Sequence, residues 1–216
     1  MKKYFIKTFG CSMNQADSEK VNMILLQSGF MKTLNWQDAD LVIFNTCSVR
    51  QKGEDRVFGM MTEIEKFNKK LTLPQPYPLE ERGKKTLTRQ PIKIGITGCM
   101  VRKTGMNEKY LENYKRDRNK AKKINLMKNK SEIFNNDDKL FPRGKENLDF
   151  VFRIEDVRYL THILTEIYGE KIGVDDKFDD YLKQAQQREN PFSATIIIQT
   201  GCDNYCTFCI VPYTRG

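Results

Sequence analysis

The stretch that most restricts how this chain can fold is residues 40–45, Asp-Leu-Val-Ile-Phe-Asn. Its four apolar residues run without alternation, so the strand it predicts needs cover on both faces, as in a parallel sheet. Two further strands are predicted, over 3–8 (Lys-Tyr-Phe-Ile-Lys-Thr) and 92–97 (Ile-Lys-Ile-Gly-Ile-Thr), with a fourth from Leu148 to Phe152. Helical spacing lies between them. Val21, Ile24, Leu25 and Ser28 mark a helix over 19–28, with Asn14, Asp17 and Ser18 as candidate caps and Gly29 as its stop. Val49, Val57, Met60, Met61, Ile64 and Phe67 mark a second. Asp156 is positioned to cap a third, which runs to Tyr168 with Val157, Leu160, Ile163, Leu164 and Ile167 on one face. Strands that alternate with helices imply a small open α/β sheet, here over residues 1–172.

Such sheets gather their ligands outside the carboxyl ends of the strands. Cys11, Cys47 and Cys99 each stand just after a predicted strand, in Phe-Gly-Cys, Asn-Thr-Cys and Thr-Gly-Cys. With the strands parallel, all three thiols share one end of the sheet. Three thiolates there can bind a cubane iron–sulfur cluster and leave one iron without a protein ligand; the alternative is three unrelated structural thiols. A second trio, Cys202, Cys206 and Cys209, has C-x3-C-x2-C spacing on one short loop, directly after the apolar run Ala194–Ile198. It can hold a second cubane in the same way. The two trios use all six cysteines. A disulfide framework does not suit a chain of 216 residues with no signal peptide. Structural zinc normally takes four Cys/His ligands, and the only histidine, His162, sits in a predicted helix.

The remaining segments read as connections. Pro74, Pro76, Pro78, Gly83 and Pro91 break residues 68–91 into a long basic loop, and residues 107–130 suggest a polar helix. The net charge of +9 is concentrated here: 66–93 carries eight Lys/Arg against two Asp/Glu, and 103–147 thirteen against seven. That excess suits either attraction to a polyanion such as RNA or a solvated lysine-rich surface. Residues 173–193, acidic and then Gln-rich, have linker composition, and 194–216 begin something new. The charged N-terminus has no long apolar run and no segment approaches a membrane span, so a cytoplasmic protein is expected.

Gly10-Cys11-Ser12-Met13-Asn14, Asp17-Ser18-Glu19, Asn45-Thr46-Cys47-Ser48-Val49-Arg50 and Gly98-Cys99-Met100 resemble the radical S-adenosylmethionine (SAM) methylthiotransferases. So do Gly201 to Cys209 and Val211-Pro212-Tyr213-Thr214-Arg215-Gly216. Ser12-Met13 and Ser48-Val49-Arg50 favour the branch that 2-methylthiolates N6-isopentenyladenosine in tRNA. Related branches modify threonylcarbamoyladenosine in tRNA or a ribosomal protein. The resemblance does not cover 68–91 and 103–147, which read as basic insertions.

The resemblance implies a Rossmann/flavodoxin-like methylthiotransferase N-terminal domain, then the first strand and cluster loop of a radical-SAM (β/α) barrel. It implies two 4Fe-4S clusters: a radical-SAM cluster on Cys202, Cys206 and Cys209, and an auxiliary one on Cys11, Cys47 and Cys99 that delivers sulfur. Phe208 would lie against the SAM adenine. The substrate carbon would be C2 of the adenosine at position 37 of tRNA, and a flavodoxin or ferredoxin would supply electrons to a monomeric enzyme. The two trios would face each other across residues 173–193. A complete barrel needs roughly 200 or more residues, whereas 194–216 gives one strand and its loop, so the chain is expected to be the N-terminal part of such an enzyme and inactive alone. The alternative of another class is a non-catalytic iron–sulfur or RNA-binding protein.

Overall fold

The computed structural model describes residues 1–47, 51–72, 89–99, 101, 148–173, 192–209 and 211–215. Lys3–Phe9 (β1), Met31–Lys32 (β2), Leu41–Thr46 (β3), Lys93–Gly98 (β4) and Phe150–Val151 (β5) form one sheet in the order β2-β1-β3-β4-β5. Every neighbouring pair is parallel. This is the flavodoxin-like, doubly wound strand order, in which the chain reverses direction across the sheet between β1 and β3. The expected small open parallel sheet is therefore present. Its second, edge strand β2 was not marked in the sequence, since two residues carry no periodicity.

All six residues of β3 are buried, as its unbroken apolar run requires. Leu41 and Ile43 join Tyr4, Val21, Ile24, Leu25, Leu160, Ile163 and Leu164 on one face. That face is covered by the helices Ser12–Gln27 (α1) and Leu160–Tyr168 (α3). Val42 and Phe44 join Val57, Met61, Ile64, Ile94 and Ile96 on the other, under the helix Gln51–Thr72 (α2). Each side chain of this size is worth about 1.5–3 kcal/mol when fully buried, so the two faces together supply the main driving force.

Polar tethers fix the ends of the elements. Asn68, late in α2, donates from Nδ2 to the Ile92 carbonyl at 2.9 Å and accepts from the Ile92 N–H at 2.8 Å. Asp149 accepts from the Ile94 N–H at 2.8 Å and pairs with Lys93 at 3.0 Å, which sets β5 beside β4. The Tyr168 hydroxyl at the end of α3 donates to the Asp40 carbonyl at 3.1 Å.

Several local expectations are corrected. α1 starts at Ser12, with Cys11 at its N-cap, rather than near Glu19. Asn14, Asp17 and Ser18 lie inside the helix: Asn14 Oδ1 reaches back to the Cys11 N–H at its start, while Asp17 and Ser18 serve tertiary partners. Asp156 does not cap α3; it belongs to a 3-10 turn, Ile154–Tyr159, whose flanking residue is Arg153. Gly29 does stand just past α1, with φ +82°. The strand expected over 194–198 is not formed: residues 193–199 have no regular structure, and Ile198 is 92% exposed. A strand is stable only when its backbone groups find a partner, and none of the described strands lies alongside. The polar helix expected over 107–130 lies outside the described residues, as do 73–88 of the first basic segment, all of the second and most of the linker. Among the described residues no helix is long and apolar enough to cross a membrane.

Candidate metal centre

The sheet register determines where the first three thiols stand. Phe9 pairs with Thr46 across β1 and β3, and Thr46 with Gly98 across β3 and β4. The ladder continues one step into the loops: the Cys47 N–H donates to the Phe9 carbonyl at 2.9 Å, and the Cys99 N–H to the Thr46 carbonyl at 2.8 Å. Cys11 follows two residues after Phe9 and begins α1. Cys11, Cys47 and Cys99 thus emerge from three adjacent strands at their carboxyl ends, Cys11 and Cys47 flanking the β1/β3 reversal. All three are free thiols: Cys11 is exposed, Cys47 buried and Cys99 half-buried.

Two glycines permit this crowding. A Cβ at Gly10 would lie 2.3 Å from Asn14 Oδ1, so only glycine lets the Asn14 amide fold back over the loop. Gly98 has φ +96°, and its Cβ would come within 2.4 Å of Asn45 Oδ1 and 2.5 Å of the Thr46 carbonyl. Both contacts lie below any real Cβ separation, and the left-handed backbone at Gly98 disfavours other residues independently.

Beneath the thiols lies a buried amide network. Asn14 Nδ2 donates to Asn45 Oδ1 at 2.9 Å and to the Thr46 carbonyl at 3.1 Å. Asn45 Nδ2 donates to the Asn14 carbonyl at 2.7 Å and to Ser18 Oγ at 2.9 Å. Ser18 and Thr8 hydroxyls meet at 2.7 Å. Asn14 Oδ1 also accepts from the Cys11 N–H at 3.3 Å and lies 3.4 Å from Cys11 Sγ. The loops carrying Cys11 and Cys47 are therefore fastened to each other through side chains as well as the ladder.

A charged pair closes the site. Arg215, only 7% exposed, donates from Nη2 to Asp17 Oδ2 at 2.5 Å and from Nε to Cys99 Sγ at 3.2 Å. Burial opposes the Arg215 charge, but the Asp17 carboxylate outweighs it and holds the guanidinium more firmly protonated than usual. Burial pushes the Cys99 thiol up, and Arg215 pulls it back only in part. Arg215 Nη1 is buried with no hydrogen-bond partner among the described residues. Asp17 and Arg215 were not singled out as site residues by the sequence. Asn14, Asp17, Ser18, Val21, Ile24 and Leu25 all fall on one helical stripe, polar at its first half, and that was the available signal.

The second trio shares one loop. Cys206 is exposed, and Cys202 and Cys209 are half-buried. Tyr205 adopts a left-handed backbone, φ +47°, and the Cys209 N–H donates to the Cys206 carbonyl at 3.0 Å, so the loop doubles back between its last two thiols. Phe208 is 92% exposed.

Among the described residues no three His, Cys, Asp or Glu side chains close tightly enough to hold one metal ion. A polynuclear cluster offers its ligand positions at separate corners, so it suits a wider thiol triangle than a single ion does. The donor set of the sheet-end site fits it as well: sulfur only, with a buried guanidinium nitrogen that still lacks an acceptor.

Comparisons with known proteins agree with the resemblance. A family model described as "Uncharacterized protein family UPF0004" matches residues 3–119. Over its full length the chain is 34% identical to a tRNA-2-methylthio-N(6)-dimethylallyladenosine synthase of Protochlamydia amoebophila, covering 37% of that protein. The like-named protein of Dictyoglomus thermophilum is 33% identical, with 100% of this chain and 38% of that one covered. That of Hydrogenobaculum sp. is 34% identical over 99% of this chain and 39% of its own length. The chain thus spans less than two-fifths of these curated relatives.

Proposed function

The chain belongs to uncharacterized protein family UPF0004, and from that membership we propose that it carries both iron–sulfur sites of a radical-SAM tRNA methylthiotransferase. The reaction would place a methylthio group on C2 of N6-isopentenyladenosine in tRNA. One observation carries the reading most directly: Cys11, Cys47 and Cys99 leave three adjacent parallel strands at the same end, over a buried amide network. Sequence identity to synthases named for that tRNA product supports the substrate.

In this reading Cys11, Cys47 and Cys99 hold the auxiliary 4Fe-4S cluster, and Cys202, Cys206 and Cys209 hold the SAM-binding one. When bound, the clusters and SAM supply an adenosyl radical at one site and sulfur at the other. The chain's own residues do the positioning. The β-ladder sets the spacing of Cys47 and Cys99, and the Asn14–Asn45 pair fixes the Cys11 loop against them. The exposed ring of Phe208 offers an aromatic face to the SAM adenine. A flavodoxin- or ferredoxin-type donor supplies the electron, and the working compartment is the cytoplasm.

Iron and sulfide analysis after anaerobic reconstitution tests the two sites. The native chain should take up two 4Fe-4S clusters; Cys47→Ala and Cys206→Ala should each lose one and keep the other. Equal loss of both clusters in either variant overturns the assignment of independent sites. For the substrate, tRNA is treated with the chain completed to the length of its curated relatives and reconstituted anaerobically, together with SAM and reductant, then digested and analysed by mass spectrometry. The expected product is 2-methylthio-N6-isopentenyladenosine. Methylthiolated threonylcarbamoyladenosine instead would move the enzyme to the related branch. Full cluster loading without a modified nucleoside would leave a non-catalytic iron–sulfur or RNA-binding role.

A further inference from the structure

We propose that Arg215 is a positioning residue of the sheet-end site, where its guanidinium donates to the Cys99 sulfur and raises the reduction potential of the cluster bound there. The claim about potential rests on the cluster reading above; the contact itself does not. Nothing in the thiol pattern requires an arginine, since the three ligands come from β1, β3 and β4. Arg215 arrives from a different part of the chain, just after the short helix Val211–Thr214 (α4) that follows the second cysteine loop.

Three features of the geometry favour a ligand-directed role over a plain structural ion pair. First, the guanidinium is shared: Nη2 goes to Asp17 Oδ2 at 2.5 Å, but Nε goes to Cys99 Sγ at 3.2 Å. Second, the pair is buried, with Asp17 0% and Arg215 7% exposed. A buried ion pair offers little net stability against apolar replacements, so stability alone gives weak reason to place it there. Third, Nη1 is buried and lacks an acceptor among the described residues, a cost that an anionic sulfur-rich ligand beside Cys99 would remove. Asp17 neutralises Arg215 and fixes its plane, while Nε and Nη1 remain for the site.

A hydrogen bond and a positive charge at a cluster sulfur stabilise the reduced, more negative form, and so raise the potential. Arg215 also links two regions that the sequence keeps apart. It lies close after Cys209 in the chain, yet touches Cys99 at the end of β4. Its loss should therefore alter the first site and leave the ligands of the second intact.

The contact is tested without iron. In the cluster-free native chain, the Arg215 Nε–H resonance in nitrogen-15 NMR should exchange at least tenfold more slowly than those of exposed arginines. Cys99→Ala should abolish that protection and Cys11→Ala should not. Exchange as fast as that of exposed arginines in the native chain overturns the contact. The charge effect is tested on the full chain with Cys202, Cys206 and Cys209 replaced by alanine, so that only the sheet-end site is loaded. Arg215→Leu should lower the midpoint potential of the loaded fraction, whereas Arg215→Lys, which keeps the charge, should stay near the native value. An unchanged potential in a loaded Arg215→Leu chain overturns the proposal while leaving the cluster reading intact. A native chain that loads iron only through the second trio overturns the cluster reading and the claim about potential together. Where Arg215→Leu fails to fold, Arg215→Gln makes the same comparison with a polar, uncharged side chain.

Discussion

Asn14 and Asn45 are bonded to each other in both directions: Asn14 Nδ2 donates to Asn45 Oδ1 at 2.9 Å, and Asn45 Nδ2 to the Asn14 carbonyl at 2.7 Å. Both residues are fully buried. Each therefore satisfies polar groups that would otherwise be stranded, and Asn45 satisfies Ser18 as well. Asn45→Ala should cost about 1–3 kcal/mol, the penalty for leaving buried partners unpaired. Asn14→Ala should cost a similar amount. Because either deletion already removes the Asn14 Nδ2–Asn45 Oδ1 bond, the double variant should lose less than the sum of the two in urea unfolding. Strict additivity would show that the amides act independently.

Gly98→Ala is expected to destabilise by about 1–3 kcal/mol, the usual range for overpacking and for a strained backbone position. Its Cβ would meet Asn45 Oδ1 and the Thr46 backbone, none of which is the free end of a flexible chain. The relief available is a shift of the β4 end, which carries Cys99 with it. Iron analysis should show the sheet-end site depleted and the Cys202–Cys209 loop still loaded.

Thiol reactivity in the cluster-free chain should divide by environment rather than by trio. Cys11 and Cys206 are exposed, Cys47 is buried, and burial raises the Cys99 thiol against the partial opposition of Arg215. The thiolate is the reacting species. At mildly alkaline pH, iodoacetamide should label Cys11 and Cys206 at least about tenfold faster than Cys47 and Cys99, as read by peptide mass spectrometry. Rapid labelling of Cys47 would mean that the β3 end opens readily.

Glu155 supplies a pH-dependent term, within reach of the Arg215 charge. Burial raises its carboxyl above the ordinary range, and Arg153 at 2.7 Å only partly compensates. The folded chain thus holds this proton more tightly than the unfolded chain does. The resulting stability is complete below the ordinary glutamate value and is lost as pH climbs through the raised one. Glu155→Gln keeps a neutral side chain, so its Tm should gain on the native Tm as pH rises from the ordinary glutamate range upward. A Tm difference that is flat across that rise would exclude the burial effect.

The sheet was legible because its signals are local. An apolar run without polar interruption, Leu41–Phe44, declares a strand covered on both faces, and the thiols after β1, β3 and β4 were placed by that inference alone. What escaped was set by distant partners. Asp17 and Ser18 resemble helix caps in isolation, and only Arg215 and Asn45 explain why they lie inside α1. Arg215 is separated from Asp17 by nearly the whole chain, so no local pattern joins them. Thr195–Ile198 shows the converse: strong strand propensity remained unexpressed where no neighbouring strand supplies the other half of the hydrogen bonds.

The strand order has a consequence for how such a chain can vary. Cys11, Cys47 and Cys99 are metered sideways, by the distance between hydrogen-bonded strands, and not by the number of residues between them. Chain can be added or removed in the crossovers while the three sulfurs keep their places. The tolerance disappears within a residue or two of each strand's end, where a single inserted residue would turn a thiol away from its neighbours. Evolution can therefore edit the connections of this protein freely, and its corners hardly at all.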